Sequence, residues 1–567
     1  MKMKKISFVI ACLMSSIANA APAGGAFTQG SGSININGTI VDVDIASKIA
    51  VIDWNSFNVA QGETVNFNNS GAVPGVAINI DNQGAASQIS GAINGNNTSI
   101  VILNKDGVNL NGASINATGG FIAAAGTLDS VVDNGGIGDN INITLSNAQM
   151  IFNDATKINA GTNFVNSGTA VNFNTGGNAA SMPLIAGWGL RGFGAEFPSI
   201  SGGGSLQGDL FLQNAYLKIS PDVAIGDVSG RFISSHLDVG GMKNFNFSGA
   251  IGGDGFGGST GLVIYNEGGT VGIGDVRSYG DANMTKPALN INAGSFHFNN
   301  SIIDGVSLDF FSLNDISLSG DVTFVDTSSF PRSGRITLAS NGDIVSSANI
   351  GSSGINDTVQ ILVSAQSFKN DGDINVKGGG FEPHTQYSNP YQTFWGTNIT
   401  IHESLNMINN GNINVTAIQN VSGLVNNGTI KASNAIGGYG YYSGPDFIVG
   451  NNTITNKGDI QTGDIYFISS LNNDASLTAT KIRDLGKLSN SATGTVITDS
   501  AKIAVVENAG LIKSAQDGGL ITSGSTTNSG EITQSEEAHK STLTATSINN
   551  TGRIDFGTKA VDPQPPV

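Results

Sequence analysis

Two stretches of this chain concentrate side chains that could hold a ligand. Residues 378–398 carry Phe381, Glu382, His384, Tyr387, Tyr391, Phe394 and Trp395, and residues 434–450 carry Tyr439, Tyr441, Tyr442, Asp446 and Phe447. Five of the chain's nine tyrosines fall in these two stretches. Aromatic rings offer large, rigid contact area, and tyrosine adds a polar handle, so the combination suits the face of a sugar or a protein epitope. The candidate ligand-binding residues are Tyr387, Tyr391, Trp395, Tyr439, Tyr441 and Tyr442, with Glu382, His384 and Asp446 as polar neighbours. The competing expectation is that the rings fold down and cover a flank of the protein. Catalysis has little support. His236, His297, His384, His402 and His539 are scattered, and no metal-ligand spacing, phosphate-binding glycine loop or nucleophile elbow is present. The glycine-rich run Gly252–Gly258 reads as a turn rather than a calcium repeat. No catalytic residue, metal or cofactor is expected.

The elements that must position these stretches are announced by a repeated phrase, Asn-x-Gly-x-Ile. It ends at Ile374, Ile413, Ile430, Ile460, Ile512, Ile532 and Ile554. The shortest separations lie near twenty residues, about one coil of a parallel β-helix. Each isoleucine would be buried against the coils above and below. The glycine is expected to allow positive φ at a corner, and the asparagine to tolerate that corner and bond along a ladder. Composition agrees: Gly is abundant at 78, Pro scarce at 13, and charged residues make up 12%. Runs such as Ser33-Ile34-Asn35-Ile36-Asn37 alternate with the period of a strand. The expected fold is all-β, a right-handed parallel β-helix (solenoid) with a capped N-terminus and extra-helical loops. A stack of this length would form a rod of roughly 100–130 Å. Both aromatic stretches follow the same strand of the repeat, so they should leave from one corner, about two coils or roughly 10 Å apart.

Residues 1–20 read as a secretory signal peptide: Lys2, Lys4 and Lys5 precede the apolar run Ile6–Met14, and Ala18-Asn19-Ala20 supplies a cleavage site. A lipid-attachment reading of Val9-Ile10-Ala11-Cys12 is the alternative. Cys12 is the only cysteine, so the processed chain would carry no disulfide. Removing three lysines takes the net charge from −17 to −20. That acidity argues against nucleic acid and anionic lipid as partners. The Pro-rich tail 557–567 lacks the tilted amphipathic strands of an attached barrel, so export is expected to need a separate protein.

Five segments, in order, then carry a resemblance: Ile52-Asp53-Trp54-Asn55-Ser56-Phe57; Glu63-Thr64-Val65-Asn66-Phe67; Ser87-Gln88-Ile89-Ser90-Gly91-Ala92-Ile93; Val101-Ile102-Leu103-Asn104-Lys105-Asp106-Gly107-Val108; and Gly119-Gly120-Phe121-Ile122-Ala123-Ala124. Together they resemble the N-terminal secretion domain of the filamentous haemagglutinin family, the exported partner of two-partner secretion systems. Where that family writes Asn-Pro-Asn-Gly, this chain has Asn104-Lys105-Asp106-Gly107. The resemblance implies a secretion domain over 21–260 and a secretion motif at Asn104, Lys105, Asp106, Gly107 and Val108. It also implies an outer-membrane transporter, a barrel bearing POTRA domains, as partner. Read without the family, Trp54, Phe57 and Phe67 would plug the first coil of a solenoid. The repeat β-helix would occupy 261–556 and carry the two aromatic stretches, and the resemblance implies that 182–197, with Trp188, Arg191 and Phe193, is an extra-helical insertion of the secretion domain. The expectation is a secreted adhesin, extracellular or held at the cell surface, that meets a host or neighbouring-cell glycan or protein. A toxin or cytolysin using the same export domain, or a β-helical polysaccharide lyase or hydrolase, are the alternatives.

Overall fold

The computed structural model describes residues 21–71, 75–133, 140–146, 148–153, 155–160, 170–174, 179–181, 184–187, 199–201, 203, 205–252, 260–279, 287–325, 327, 334–353, 359–376, 380–383, 391–394, 397–400, 405–438, 440–443, 446–449, 451–516, 519–535 and 541–556. The signal segment, the Gly253–Gly258 part of the glycine-rich run, Met182, Trp188, Arg191, Phe193 and the Pro-rich tail lie outside these residues. All described regular structure is strand. The chain forms two compact units, Met1–Tyr265 and Asn266–Val567.

In the first unit the alternating pattern builds coils of three short strands. One face stacks Ile40–Ile45, Thr64–Asn69, Ala92–Asn96, Ser114–Ala117 and Lys157–Ala160 in parallel. A second stacks Ile49–Trp54, Gly75–Asp81, Thr98–Leu103 and Gly120–Ala124. The third is Ser87–Ile89, Val108–Leu110 and Ile151–Phe152. Val41, Val43 and Ile45 point inward and are buried, while Asp42 and Asp44 stay on the outer side. The first coil would expose an open edge; it is closed instead by antiparallel strands. Gly32–Asn37 pairs with Ile40–Ile45, and Ala26–Gln29 with Ile49–Trp54. Trp54, Phe57 and Phe67 are all buried beneath this cap. Trp54 meets Phe57 edge-on at 5.4 Å, and its indole N–H donates to Asn79 Oδ1 at 3.0 Å.

The second unit stacks its repeat phrase in strict register: Ile374, Ile413, Ile430 and Ile460 follow one another across parallel strands, and Ile512, Ile532 and Ile554 do the same. The asparagines of the phrase form a buried ladder. Each side-chain Nδ2 donates to the Oδ1 of the next: Asn370 to Asn409, then Asn426, Asn456, Asn473, Asn490, Asn508, Asn528 and Asn550, at 2.7–3.0 Å. Two rungs lack the phrase. Asn473 is followed by Ala475 and Leu477, and Asn490 by two extra residues before Gly494 and Val496; both nevertheless fill the ladder and the isoleucine column.

The glycines correct one expectation. Gly372, Gly411, Gly428, Gly458, Gly510, Gly530 and Gly552 are not among the positive-φ residues, nor are their asparagines. The constraint is close approach between coils. A Cβ on Gly428 would sit 2.1 Å from Gly411 O, one on Gly458 2.0 Å from Gly428 O, and one on Gly530 2.2 Å from Gly510 O. The glycine lets each backbone rest on the one below.

Candidate functional site

Two regions hold the residues that the sequence singled out. In the first unit, Asn104-Lys105-Asp106-Gly107 is a tight turn. Gly107 N–H donates to Asn104 O at 3.0 Å, and Asp106 N–H to Asn104 Oδ1 at 2.8 Å. Gly107 has φ 108°, and a Cβ there would lie 2.2 Å from Gln149 O, so both backbone angle and space require glycine. Asn104 is wholly buried. Its Nδ2 donates to Ala85 O at 2.8 Å and Ser87 Oγ at 3.0 Å, and the Ser87 hydroxyl donates in turn to the buried Asp81 carboxylate. Ser87 N–H donates to Gly107 O at 3.0 Å, which closes the arrangement.

Val108 is buried in the core. Of the five motif residues, Lys105 and, in part, Asp106 reach the surface, as an ion pair at 2.8 Å. The asparagine and glycine shape the turn from inside, and the charged pair at positions 105 and 106 is what another molecule could touch.

In the second unit the aromatic stretches are antiparallel hairpins outside the coil sheets. Tyr391–Phe394 pairs with Thr397–Thr400, and Gly440–Ser443 with Asp446–Val449. They are insertions into a regular coil: the ladder step from Asn409 to Asn426 spans 17 residues, but the steps that contain hairpins span 39 and 30. Gly380 pairs with Ala417 and Phe381 with Ile418, while Val421 pairs with Gly438, so one coil separates the two departure points and both hairpins leave from one corner. Tyr387, Trp395 and Tyr439 lie outside the described residues, as does His384; Tyr391, Tyr441 and Tyr442 are placed by their backbone, Tyr441 opposite Ile448 and Tyr442 opposite Phe447. The first hairpin does not stand clear of the coils. Its Thr397–Thr400 strand lies against Gly334–Ser340.

The sheet that includes Gly334–Ser340 is buried on both faces over three adjacent strands, unlike the alternating strands that carry the repeat phrase. Ala288–Asn292 and Ser307–Ser312 are buried along their whole length, and Gly334–Ser340 at every residue but Arg335. Leu289, Ile291, Leu308 and Phe310 fill the core, so Asn290, Asn292, Asp309 and Phe311 belong to the outer face. Register places Asn290, Asp309 and Thr337 in one row and Asn292, Phe311 and Ala339 in the next. Arg335 Nη2 donates to both Asp309 oxygens, at 2.9 and 3.2 Å. In sequence these residues look like ordinary outward polar positions, and no signal marks them.

One further cluster was not legible. His236 stacks between Tyr216, at 5.7 Å, and Tyr265, at 6.5 Å, and Tyr216 OH donates to Asp238 Oδ2 at 3.1 Å. Burial pushes the imidazole down to about 4. Burial, then the Asp238 charge, push Tyr265 up to about 12 and Tyr216 well above the usual phenol range. The partners come from three successive coils, so linear spacing hides them.

No family model and no curated protein matches the chain. Among solved structures it is similar to the crystal structure of the HMW1 secretion domain from Haemophilus influenzae, at 11% identity and a TM-score of 0.17, over 94% of this chain and 100% of that one. A likeness that slight carries no argument about function.

Proposed function

We propose that the chain is a filamentous-haemagglutinin-like adhesin, exported across the outer membrane by a dedicated partner transporter, and that it is not an enzyme. The observation that carries this reading is the placement of the five resembling segments. All five fall in consecutive coils of the capped first unit, and the fourth folds into the Asn104–Val108 turn with one charged pair facing outward. The cap suits a domain that must nucleate a stack, since it closes the edge on which the next coil would otherwise pair at random. The hairpins of the second unit supply the surface that meets a host or neighbouring-cell glycan or protein.

The test is release of the chain from cells with and without its candidate POTRA-bearing transporter, comparing wild type, Asn104→Ala and the charge exchange Lys105→Asp with Asp106→Lys. Release that depends on the transporter supports the reading. Asn104→Ala should lower release by misfolding the turn, detectable as protease sensitivity, whereas the charge exchange should lower release with the fold intact. Release that ignores the transporter overturns the proposal.

A further inference from the structure

We propose that the coil Thr542–Asp555 of the second unit is a self-association surface, and that its occupant is the same coil of a second copy of this chain, turned about a two-fold axis. This goes beyond the adhesin reading and does not depend on it. Thr542–Asn550 lies parallel to Leu520–Asn528, and Arg553–Asp555 to Glu531–Gln534; among the described residues nothing pairs with the far edge of either strand. The coil one step back is closed: Ile521, Thr526, Asn528 and Ile532 are 0–3% exposed. Their counterparts in register, Leu543, Ile548, Asn550 and Ile554, are not buried, and Ile548 is 49% exposed. The amide ladder stops at the same place. Asn528 Nδ2 donates forward to Asn550 Oδ1 at 2.7 Å and Arg553 O at 3.1 Å, whereas among the described residues Asn550 Nδ2 donates only within its own turn, to Gly552 O. Exposed strand edges are ordinarily protected by charge or proline, and Thr542–Asn550 contains neither.

The residue pattern of the coil selects the occupant. Its register divides Thr542–Asn550 into two segments of equal length, Thr542–Ala545 and Ser547–Asn550, on either side of Thr546. A two-fold axis through that corner lays each segment antiparallel on the other segment of the second copy. Residues directly opposite in an antiparallel pair share a face. Inward positions then meet inward positions, Leu543 opposite Asn550 and Ala545 opposite Ile548, with no charge on either segment. A shift of one residue would set inward positions against outward ones. The same axis passes Ile554 and lays Arg553–Asp555 on itself, so that Ile554 meets Ile554 and Arg553 meets Asp555 of the second copy. Arg553 and Asp555 are the only charged residues of the coil, and within one chain they already pair. Two such pairs meeting across the axis form a quartet of alternating sign. The coil is neutral as a whole, so a polyanion or polycation gains nothing there, and a two-fold contact of this kind closes at a dimer.

The experiment is sedimentation velocity on the purified full chain, residues 557–567 included, from about 0.1 to 100 µM. The expected result is a concentration-dependent equilibrium between monomer and dimer. Ile548→Lys places a charge inside the contact, and Arg553→Asp sets a carboxylate against Asp555 of the second copy. Each should weaken the dimer about tenfold or more while the far-ultraviolet circular dichroism stays unchanged. The double exchange Arg553→Asp with Asp555→Arg restores opposite signs across the axis and should recover the dimer, a rescue that simple damage to the coil would not show. A chain that stays monomeric over the whole range overturns the proposal and leaves this edge to residues 557–567 or to a different molecule. A dimer that neither single variant weakens, or that the double exchange fails to recover, overturns it as well, because the contact then lies elsewhere.

Discussion

At the scale of single residues, position in a ladder matters more than residue type. Asn456 donates to Asn473 Oδ1 and Ser476 O, both at 2.8 Å, and accepts from Asn426 at 2.9 Å, all in the dry interior. Asn456→Ala would leave Asn473 Oδ1 buried without its donor and open a small void. The expected cost is about 2–4 kcal/mol, read as a lower denaturant midpoint by circular dichroism. Asn550 ends the ladder in an exposed strand and donates to Gly552 O at 3.1 Å. The same substitution there should cost less than about 1 kcal/mol. Equal losses at the two positions would mean that the ladder contributes nothing beyond local turn geometry. His236 makes a separate prediction about acid. The unfolded chain takes up the imidazole proton near 6.5 and the folded chain near 4, so falling pH favours the unfolded form across that interval. Stability should drop by on the order of 3 kcal/mol between those limits and level off below them. His236→Phe, which keeps the stack between Tyr216 and Tyr265, should flatten that part of the pH profile.

At the scale of elements, the coil is a strand, a close glycine contact and a ladder asparagine, and its tolerance follows from the contact. Gly428→Ala forces a methyl group to within 2.1 Å of Gly411 O, where only backbone can give way. The coil should open locally at a cost of about 1–3 kcal/mol, visible as faster hydrogen exchange at Thr429–Gly438. The strand was legible in the sequence because isoleucine, glycine and asparagine recur at fixed offsets, but two rungs escaped. Ala475 and Leu477 preserve the volume logic while breaking the phrase, and the two residues inserted after Asn490 break its spacing. The role of the glycine was misread, since a sequence cannot distinguish a positive φ from a neighbouring backbone that lies too close for Cβ. The hairpins were legible as interruptions, and their shared corner followed from the strand they succeed. That the first one returns to the coils was not, because Gly334–Ser340 is an ordinary strand until Thr397–Thr400 lies against it. Shortening residues 384–404 to a four-residue turn should therefore expose Gly334–Ser340 and speed hydrogen exchange there, whereas a freely projecting hairpin would leave exchange in that strand unchanged.

At the scale of the molecule, the lack of any possible intramolecular disulfide places all stability in stacking, since Cys12 is the only cysteine. Each coil gains its hydrophobic contribution only when its neighbour is in place, roughly 1.5–3 kcal/mol for each large aliphatic side chain buried. Export through a partner pore, as proposed, would turn this dependence into direction: coils that stack outside cannot slide back without exposing their aliphatic column. Ile413 and Ile430 occupy adjacent rungs of that column, 1% and 0% exposed. Ile413→Asp with Ile430→Asp would bury two carboxylates with no cation in the column, and stacking should fail there. The expected outcome is slower release and a longer-lived, protease-sensitive form inside the envelope. Ile548→Asp is the matched control, because Ile548 is 49% exposed on a strand whose pattern is already open to solvent. It adds the same charge per site to a chain already at net −17, yet should be released at the normal rate. If the interior pair is released as fast as that control, stacking does not drive export, and the energy must come from the transporter or from a chain that folds only after it has left.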